Sequence, residues 1–204
     1  MSRLVVSTFL SLDGVMQGPG GPGEDDSNAF PHGGWLVPHV DEEFGRIMDE
    51  QFQRADGMLL GRRSYDILSA HWPHVPDEEG GAKINSMPKY VATTTPMTAT
   101  WRNTQVLVGE AAQTIAALKN RTDGEILVQG SSDLIAGLQR ADLIDEYRLL
   151  IFPVVLGEGK RLFAPGTVPA GLKLTSAATT PAGVIYATYE RNGAPVYGTV
   201  APDA

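Results

Sequence analysis

The sequence predicts an α/β fold: a central, mostly parallel sheet with helices on both faces and a C-terminal antiparallel β-hairpin. Three observations carry that expectation. Short apolar or β-branched runs alternate with stretches of helical spacing as far as residue 155. Two of those runs end in a turn of Gly and hydroxyl residues that leads straight into a helical pattern. Finally, Leu172 to Thr180 and Val184 to Arg191 flank Pro181-Ala182-Gly183, the pattern of a hairpin.

A length of 204 residues suits one domain, expected over 1–192, with a tail at 193–204. Hydrophobic content of 42% and charged content of 20% describe an ordinary soluble protein. A formal net charge of -8 argues against broad binding of nucleic acid or anionic membranes, which needs clustered Lys and Arg. The chain has no cysteine, which removes disulfides, thiolate catalysis and Cys-ligated zinc, and makes a reducing cytoplasm the expected location. Leu4 to Leu12 is interrupted by Ser7, Thr8 and Ser11, so it reads as a strand and not as a signal peptide.

Arg3 to Leu10 is the run of a central strand, and Ser11-Leu12-Asp13-Gly14-Val15 turns away from it. Residues 17–34 are rich in Gly and Pro among acidic side chains, which leaves either a disordered segment or a lid over a site. Phe44, Ile47, Met48, Phe52 and Ala55 then form one helical stripe, with Asp41, Glu42 and Glu43 in the first turn, where the dipole favours negative charge. Gly57 to Leu60 is a strand leading into Gly61-Arg62-Arg63-Ser64-Tyr65. His71 and His74 lie close, but Pro73 disturbs the helix that would align them and zinc wants three or four ligands, so no metal site is expected. Pro76 to Gly81 reads as a polar loop. Lys89 to Pro96 is a third strand running into Thr93 and Thr94, and Thr104 to Val108 a short fourth. Ala111, Ile115 and Leu118 mark a helix. Ile126 to Gln129 is a strand, Gly130-Ser131-Ser132-Asp133 a turn, and Leu134, Ile135 and Leu138 the face of the next helix. Asp145 to Leu156 is the longest apolar run, in which Pro153 marks a bulge, an edge or a change of direction. Its segment Leu149 to Leu156 suits a buried central strand or an interface, and Pro195 to Val200 is at most a short strand.

The turn at Gly130 to Asp133 has two readings. The first N–H groups of a helix have no partner within it, and Ser131, Ser132 and Asp133 are natural caps. An anion can take those donors instead, helped by the helix dipole. The turn after Leu60 offers the same choice, with Arg62 and Arg63 either gripping phosphate in bidentate fashion or forming a solvated basic turn. In open α/β sheets ligands bind outside the carboxyl ends of the strands, which gathers the turns after Leu60, Ala92 and Gln129 on one rim. The Gly/Pro segment would reach the same rim, where Asp13 and Trp35 would flank a planar substrate. Asp13 equally suits the start of the Asp13-Gly14 turn, and Trp35 equally suits packing on the core.

Gly61-Arg62-Arg63-Ser64-Tyr65 resembles the Gly-Arg-x-Thr/Ser-aromatic turn of the dihydrofolate reductase superfamily, and Val128 to Leu134 resembles its glycine-rich cofactor turn. Ser11-Leu12-Asp13-Gly14 and the run from Ala141 to Glu146 through Pro153, Gly157, Gly159, Leu162 and Phe163 are similar to one branch, the reductase domain of bacterial riboflavin biosynthesis. That domain is the carboxyl-terminal half of a fused deaminase-reductase. The resemblance spans about residues 3 to 191. It implies a dihydrofolate reductase-like three-layer fold, NADPH as cofactor, a homodimer, and hydride transfer to a pyrimidine or pterin-like small molecule. The enzyme it implies most directly is 5-amino-6-(5-phosphoribosylamino)uracil reductase. The alternatives are dihydrofolate reductase-type activity, or a nucleotide-binding module of the same fold without turnover. By the same resemblance Gly61, Arg62, Arg63 and Ser64 lie near the cofactor phosphates and Thr93 and Thr94 near the adenosine ribose phosphate. Gly130, Ser131, Ser132 and Asp133 lie at the pyrophosphate, with Gln129 and Leu134 flanking them. Asp13, Trp35 and Asp41 are the candidates for work on the substrate.

Two departures from the family pattern bear on the substrate. Dihydrofolate reductases carry a carboxylate in the helix after a Trp-x-x-Pro segment; here Trp35-Leu36-Val37-Pro38 places Val40 in that position and Asp41 one residue, about 100° of helix, later. A fused deaminase needs zinc-binding Cys, and this chain has none, so the reading is a free-standing reductase. Lys160 and Arg161 would offset the acidic Glu24, Asp25 and Asp26 if they face the site.

Overall fold

The apolar runs of the sequence become the inner layer of a single sheet. In the computed structural model, which describes residues 1–200, its strands are β1 (Arg3–Ser11), β2 (Gly57–Gly61), β3 (Lys89–Thr93) and β4 (Thr104–Val108), then β5 (Glu125–Gln129), β6 (Glu146–Phe152), β7 (Leu172–Thr179) and β8 (Ile185–Arg191). They lie in the order β4-β3-β2-β5-β1-β6-β8-β7. Every pairing from β4 across to β6 is parallel, while β6–β8 and β8–β7 are antiparallel. The helices are α1 (Glu42–Arg54), α2 (Arg62–His71), α3 (Gly81–Ser86), α4 (Ala111–Arg121) and α5 (Ser132–Arg140).

Side-chain alternation along the strands divides the core between two faces. On β5, Ile126 and Val128 pack with Ile115 and Leu118 of α4 and Ile135 and Leu138 of α5. Leu127, between them, points the other way and joins Leu60, Phe52 of α1, Tyr65 of α2 and Ile84 of α3. Strands covered on both faces read as continuous apolar runs, which is why the parallel half was legible in the sequence. The Gly/Pro segment is anchored to this scaffold by Phe30, Trp35 and Leu36, which pack with Leu150 and Phe152.

The structure corrects the sequence reading at one place and decides two choices that it left open. Pro76 to Gly81 is not simply a polar loop: a 3-10 turn at Asp77–Glu79 leads into α3. That short helix is held by a residue beyond it, for the buried Lys89 ammonium donates to the carbonyls of Ile84, Asn85 and Met87 at 3.0, 3.0 and 2.8 Å. The same ammonium lies 4.5 Å from the Trp101 ring. Burial, with Arg102 nearby, pushes the Lys89 pKa down to about 8. Pro195 to Val200 forms no strand, and residues 201–204 of the expected tail lie outside the described residues. Finally, β6 stops at Phe152, before Pro153, and runs between β1 and β8 inside the sheet.

At the amino edge of the sheet lies a buried charge cluster. Arg148 is wholly buried and donates to both carboxylate oxygens of Glu125, at 2.7 and 2.6 Å, and to Glu146 at 2.6 Å. Arg3 reaches Glu146 from the rim at 2.8 Å. Breaking such a group from one side strands the remaining charge in a poor solvent. Arg148→Met is therefore expected to cost about 3–5 kcal/mol in urea unfolding. Adding Glu125→Gln and Glu146→Gln to that variant should recover part of the loss.

Candidate functional site

At the carboxyl edge, β2 and β5 are parallel neighbours and each passes almost directly into a helix. Gly130 and Ser131 make the second turn possible by adopting left-handed backbone, with φ of 60° and 65°. For Gly this conformation is unhindered, and for Ser it is strained. The Ser131 hydroxyl accepts the Gly61 N–H at 2.9 Å and donates to the Gln129 carbonyl at 3.3 Å. Ser131 thus fastens one turn to the other and does not cap its own helix. The first reading of Gly130 to Asp133, a side-chain cap, is corrected here: neither α2 nor α5 has one. The helix α4 after β4 also begins without a side-chain cap. Uncapped first turns leave backbone N–H donors for a ligand, and the dipoles favour negative charge there. A Cβ on Gly130 would stand 3.0 Å from the Ser64 hydroxyl, so the start of α2 is packed closely against this turn.

A cleft of about 1540 Å³ opens over this rim. Gly61, Arg62, Arg63, Ser64, Thr93, Thr94 and the run Gln129, Gly130, Ser131, Ser132, Asp133, Leu134 all border it. The structure therefore brings together every residue assigned to the cofactor by resemblance. Arg62 is turned along its helix to Asp66, at 2.9 and 3.1 Å, in an exposed pair of the kind that contributes little. The Thr93 hydroxyl closes a local turn, donating to the Thr95 carbonyl at 2.9 Å. The cleft is also lined by the apolar side chains of Phe9, Met16, Leu36, Phe44, Met48 and Phe52.

The Gly/Pro segment lies along the cleft from Gln17 to Asp25. Its conformation is held by polar contacts in place of regular structure. The Gln17 amide donates to the carbonyls of Asp25 and Ser27 at 3.0 and 2.9 Å. Asp25 receives Arg63 at 2.8 Å, Lys160 at 2.7 Å and the Ser27 hydroxyl at 2.6 Å. Burial works against the Asp25 carboxylate, but the hydrogen bonds from Lys160 and Ser27 outweigh it and hold the pKa low. The segment is thereby tied to the first turn of α2 and to the loop after β6. Of the two cations that would offset the acidic segment if they faced the site, Lys160 borders the cleft and Arg161 turns to Asp13.

Asp13, Trp35 and Asp41 are not among the residues bordering the cleft. Asp13 accepts the Ser11 hydroxyl at 2.6 Å, the N–H groups of Leu156 and Gly157 at 3.0 and 2.9 Å, and Arg161 at 3.1 Å. It binds the loop after β1 to the loop after β6. The Ser11 contact and those backbone donors hold its carboxyl far below the usual range. Trp35 stands edge-on to Phe152 at 5.4 Å and donates its indole N–H to the Gln17 carbonyl at 2.8 Å, so it is a core residue. Asp41 precedes α1 in extended backbone and caps it through the Phe44 N–H at 2.8 Å, and also accepts the Ala182 N–H at 2.9 Å. The one-residue offset noted in the sequence has made it a cap. Sequence reasoning missed Gly45 and Asp49, which do border the cleft from α1. The available signal was their place on the flank of the Phe44, Met48, Phe52 stripe.

Both Asp13 and Asp41 have lowered carboxyl pKa values, for Asp41 chiefly through the Phe44 N–H. Such groups bind fewer protons folded than unfolded, so their stabilisation is present above about pH 4 and disappears as pH falls through the folded value. Asp13→Asn and Asp41→Asn should each lower the urea midpoint at neutral pH. The gap from wild type should narrow as the same titration is repeated at successively lower pH below about 4.

The same architecture recurs elsewhere. The uncharacterised protein YyaP of Bacillus subtilis (strain 168) is 28% identical over 166 residues, covering 79% of this chain and 80% of that protein. A solved structure from Shewanella sp. PV-4, provisionally named for riboflavin biosynthesis, aligns with a TM-score of 0.68 at 22% identity, covering 93% of this chain and 99% of its own. Dihydrofolate reductase from Enterococcus faecalis, solved with NADP(H), aligns with a TM-score of 0.58 at 16% identity, covering 93% of this chain and 96% of its own. At these identities the two structures establish the dihydrofolate reductase-like fold. The family model described as RibD C-terminal domain matches residues 2–186, and the chain belongs to that family.

Proposed function

We propose that this protein is an NADPH-dependent reductase that transfers a hydride to a pyrimidine or pterin-like ring, of the type of 5-amino-6-(5-phosphoribosylamino)uracil reductase. The observation that carries the reading is the pair of uncapped helix N-termini, fastened to each other by the Gly61–Ser131 bond beside an apolar wall. Membership of the RibD C-terminal domain family and the likeness to a reductase that holds NADP(H) support it.

The residues present fit a dinucleotide phosphate. The open N–H groups of α2 and α5 suit a pyrophosphate, and the close packing of Gly130 on Ser64 lets backbone approach it. Arg62 and Arg63 add donors for the phosphates, and Thr93 and Thr94 stand where a further ribose phosphate would lie. Bound there, NADPH would supply the hydride. The chain's part is to orient the two partners and to keep water from them with Phe9, Phe44, Met48 and Phe52. A homodimer in the cytoplasm belongs to the same proposal, to be checked by light scattering in solution.

A nucleotide-binding module without turnover is the second reading, favoured by the placement of Asp13, Trp35 and Asp41 away from the cleft. Two measurements decide. Titration with NADPH and NADH should quench intrinsic fluorescence, since Trp72 borders the cleft, and NADPH should bind more tightly. Arg62→Ala and Ser64→Ala are each expected to weaken NADPH by about tenfold, consistent with the loss of a charge-assisted or strong polar contact. Failure of both cofactors to bind at millimolar concentration would sink the cofactor claim. Turnover of 5-amino-6-(5-phosphoribosylamino)uracil should exceed turnover of dihydrofolate, and inactivity on both with NADPH bound would favour the module.

A further inference from the structure

We infer that Asp25 is a built-in competitor for the cofactor phosphates: its carboxylate holds the Arg63 guanidinium, and an arriving phosphate takes Arg63 away and releases the Gly/Pro segment from α2. The inference rests on the reductase reading above and adds to it the way in which that segment is controlled.

Residues 17–34 gather their acidic charge in Glu24-Asp25-Asp26. Gly and Pro deny the segment a strand ladder or an α-helix, so side-chain contacts decide where it lies. The three carboxylates behave differently. Glu24 folds back onto the Gly20 N–H and Asp26 is exposed, whereas the Asp25 side chain is only 13% exposed and reaches the cations of the rim. Its Oδ1 accepts the Arg63 Nη1 at 2.8 Å and its Oδ2 the Lys160 Nζ at 2.7 Å. Asp25, Arg63, Ser64 and Lys160 all border the cleft. A carboxylate that bridges two cations there occupies donors that a phosphate also uses.

The two halves of this clasp differ in how easily they open. The Arg63 side chain is 59% exposed and gives one N–H to one oxygen, while that of Lys160 is 23% exposed. The Lys160 half is also doubled by backbone. Its N–H donates to the Gln17 Oε1 at 3.0 Å, and the Gln17 amide in turn holds the carbonyls of Asp25 and Ser27. Exposed pairs contribute little, and a phosphate offers a guanidinium two oxygens and more charge than a carboxylate does. When Arg63 leaves, Asp25 keeps Lys160, the Ser27 hydroxyl and the Ser27 N–H, at 2.7, 2.6 and 3.2 Å. The exchange therefore strands no charge. The segment stays anchored to the loop after β6 while its tie to α2 comes free.

The test is calorimetric titration with NADPH of wild type, Asp25→Asn, Arg63→Gln, the double variant and Ser27→Ala. Hydrogen exchange of residues 17–34, with and without NADPH, accompanies it. Asp25→Asn should bind NADPH about threefold more tightly than wild type, the scale of one exposed ion pair. That gain should vanish in the Arg63→Gln background, where a general easing of repulsion between segment and ligand would persist. Ser27→Ala removes one contact of the segment but keeps the carboxylate, so it should not tighten binding. In wild type, exchange of 17–34 should quicken when NADPH binds; in Asp25→Asn it should be fast already and change little. An equal gain with and without Arg63, an equal gain in Ser27→Ala, or exchange in wild type that stays the same or slows on binding would each overturn the competition. Wild type that binds no NADPH would overturn the cofactor reading together with it. Wild type that binds NADPH, with Asp25→Asn binding it no better, would overturn the competition alone.

Discussion

The hydrogen bond from the Gly61 N–H to the Ser131 hydroxyl is the contact on which the cleft depends. In a parallel sheet every strand ends at the same edge, and the helix that follows must begin there. β2 and β5 are neighbours, so α2 and α5 start side by side. Left to local chemistry, Ser131 would cap α5 and close its donors. Held in left-handed backbone beside Gly130, it points across to Gly61 instead. One hydroxyl therefore does two things at once: it fixes the spacing of the two turns and leaves the first N–H groups of α5 open to an anion, beside those of α2, whose N-cap Gly61 has no side chain.

The two edges of the sheet show opposite treatments of polarity. At the amino edge, Arg148, Glu125, Glu146 and Arg3 pair with one another. At the carboxyl edge, donors are left open and the cations are only lightly committed. Arg62 is paired with its own helix at the surface, and Arg63 and Lys160 share Asp25. A buried pair is expensive to open and an exposed one is cheap. The distribution of charge thus makes one edge a foundation and the other a binding surface. It also makes the Gly/Pro segment part of that surface, since Asp25 belongs to it.

Legibility in the sequence followed the range of the interactions concerned. The strands of the parallel half and the hairpin were readable because burial on both faces, or a Pro-Ala-Gly turn, writes itself into contiguous residues. The helix α3 was not, because its carbonyls are satisfied by Lys89 from the next strand and not by a local cap. Asp13, Trp35 and Asp41 show the same limit at the site. Each occupies the local setting that the sequence suggested: a turn, a segment beside the Gly/Pro stretch, a helix start. Beyond the local partners Ser11 of Asp13 and the Phe44 N–H of Asp41, their side chains were claimed by Leu156, Gly157 and Arg161, by Phe152 and Gln17, and by Ala182. Those partners are brought near only by the folded chain.

The sequence by itself determined the alternation of strands and helices, the order of the turns that share a rim, and the residues gathered there from Gly61 to Ser64, at Thr93 and Thr94, and from Gln129 to Leu134. These follow from periodicity and from turn chemistry, which act over a few neighbouring residues. Only the tertiary structure decided that Ser131 is a cross-link and not a cap, and that Asp13 ties the loop after β1 to the loop after β6 and stays out of the cleft. The reason is physical: a polar side chain bonds to the nearest unsatisfied partner, and which partner is nearest is settled by elements far apart in the chain.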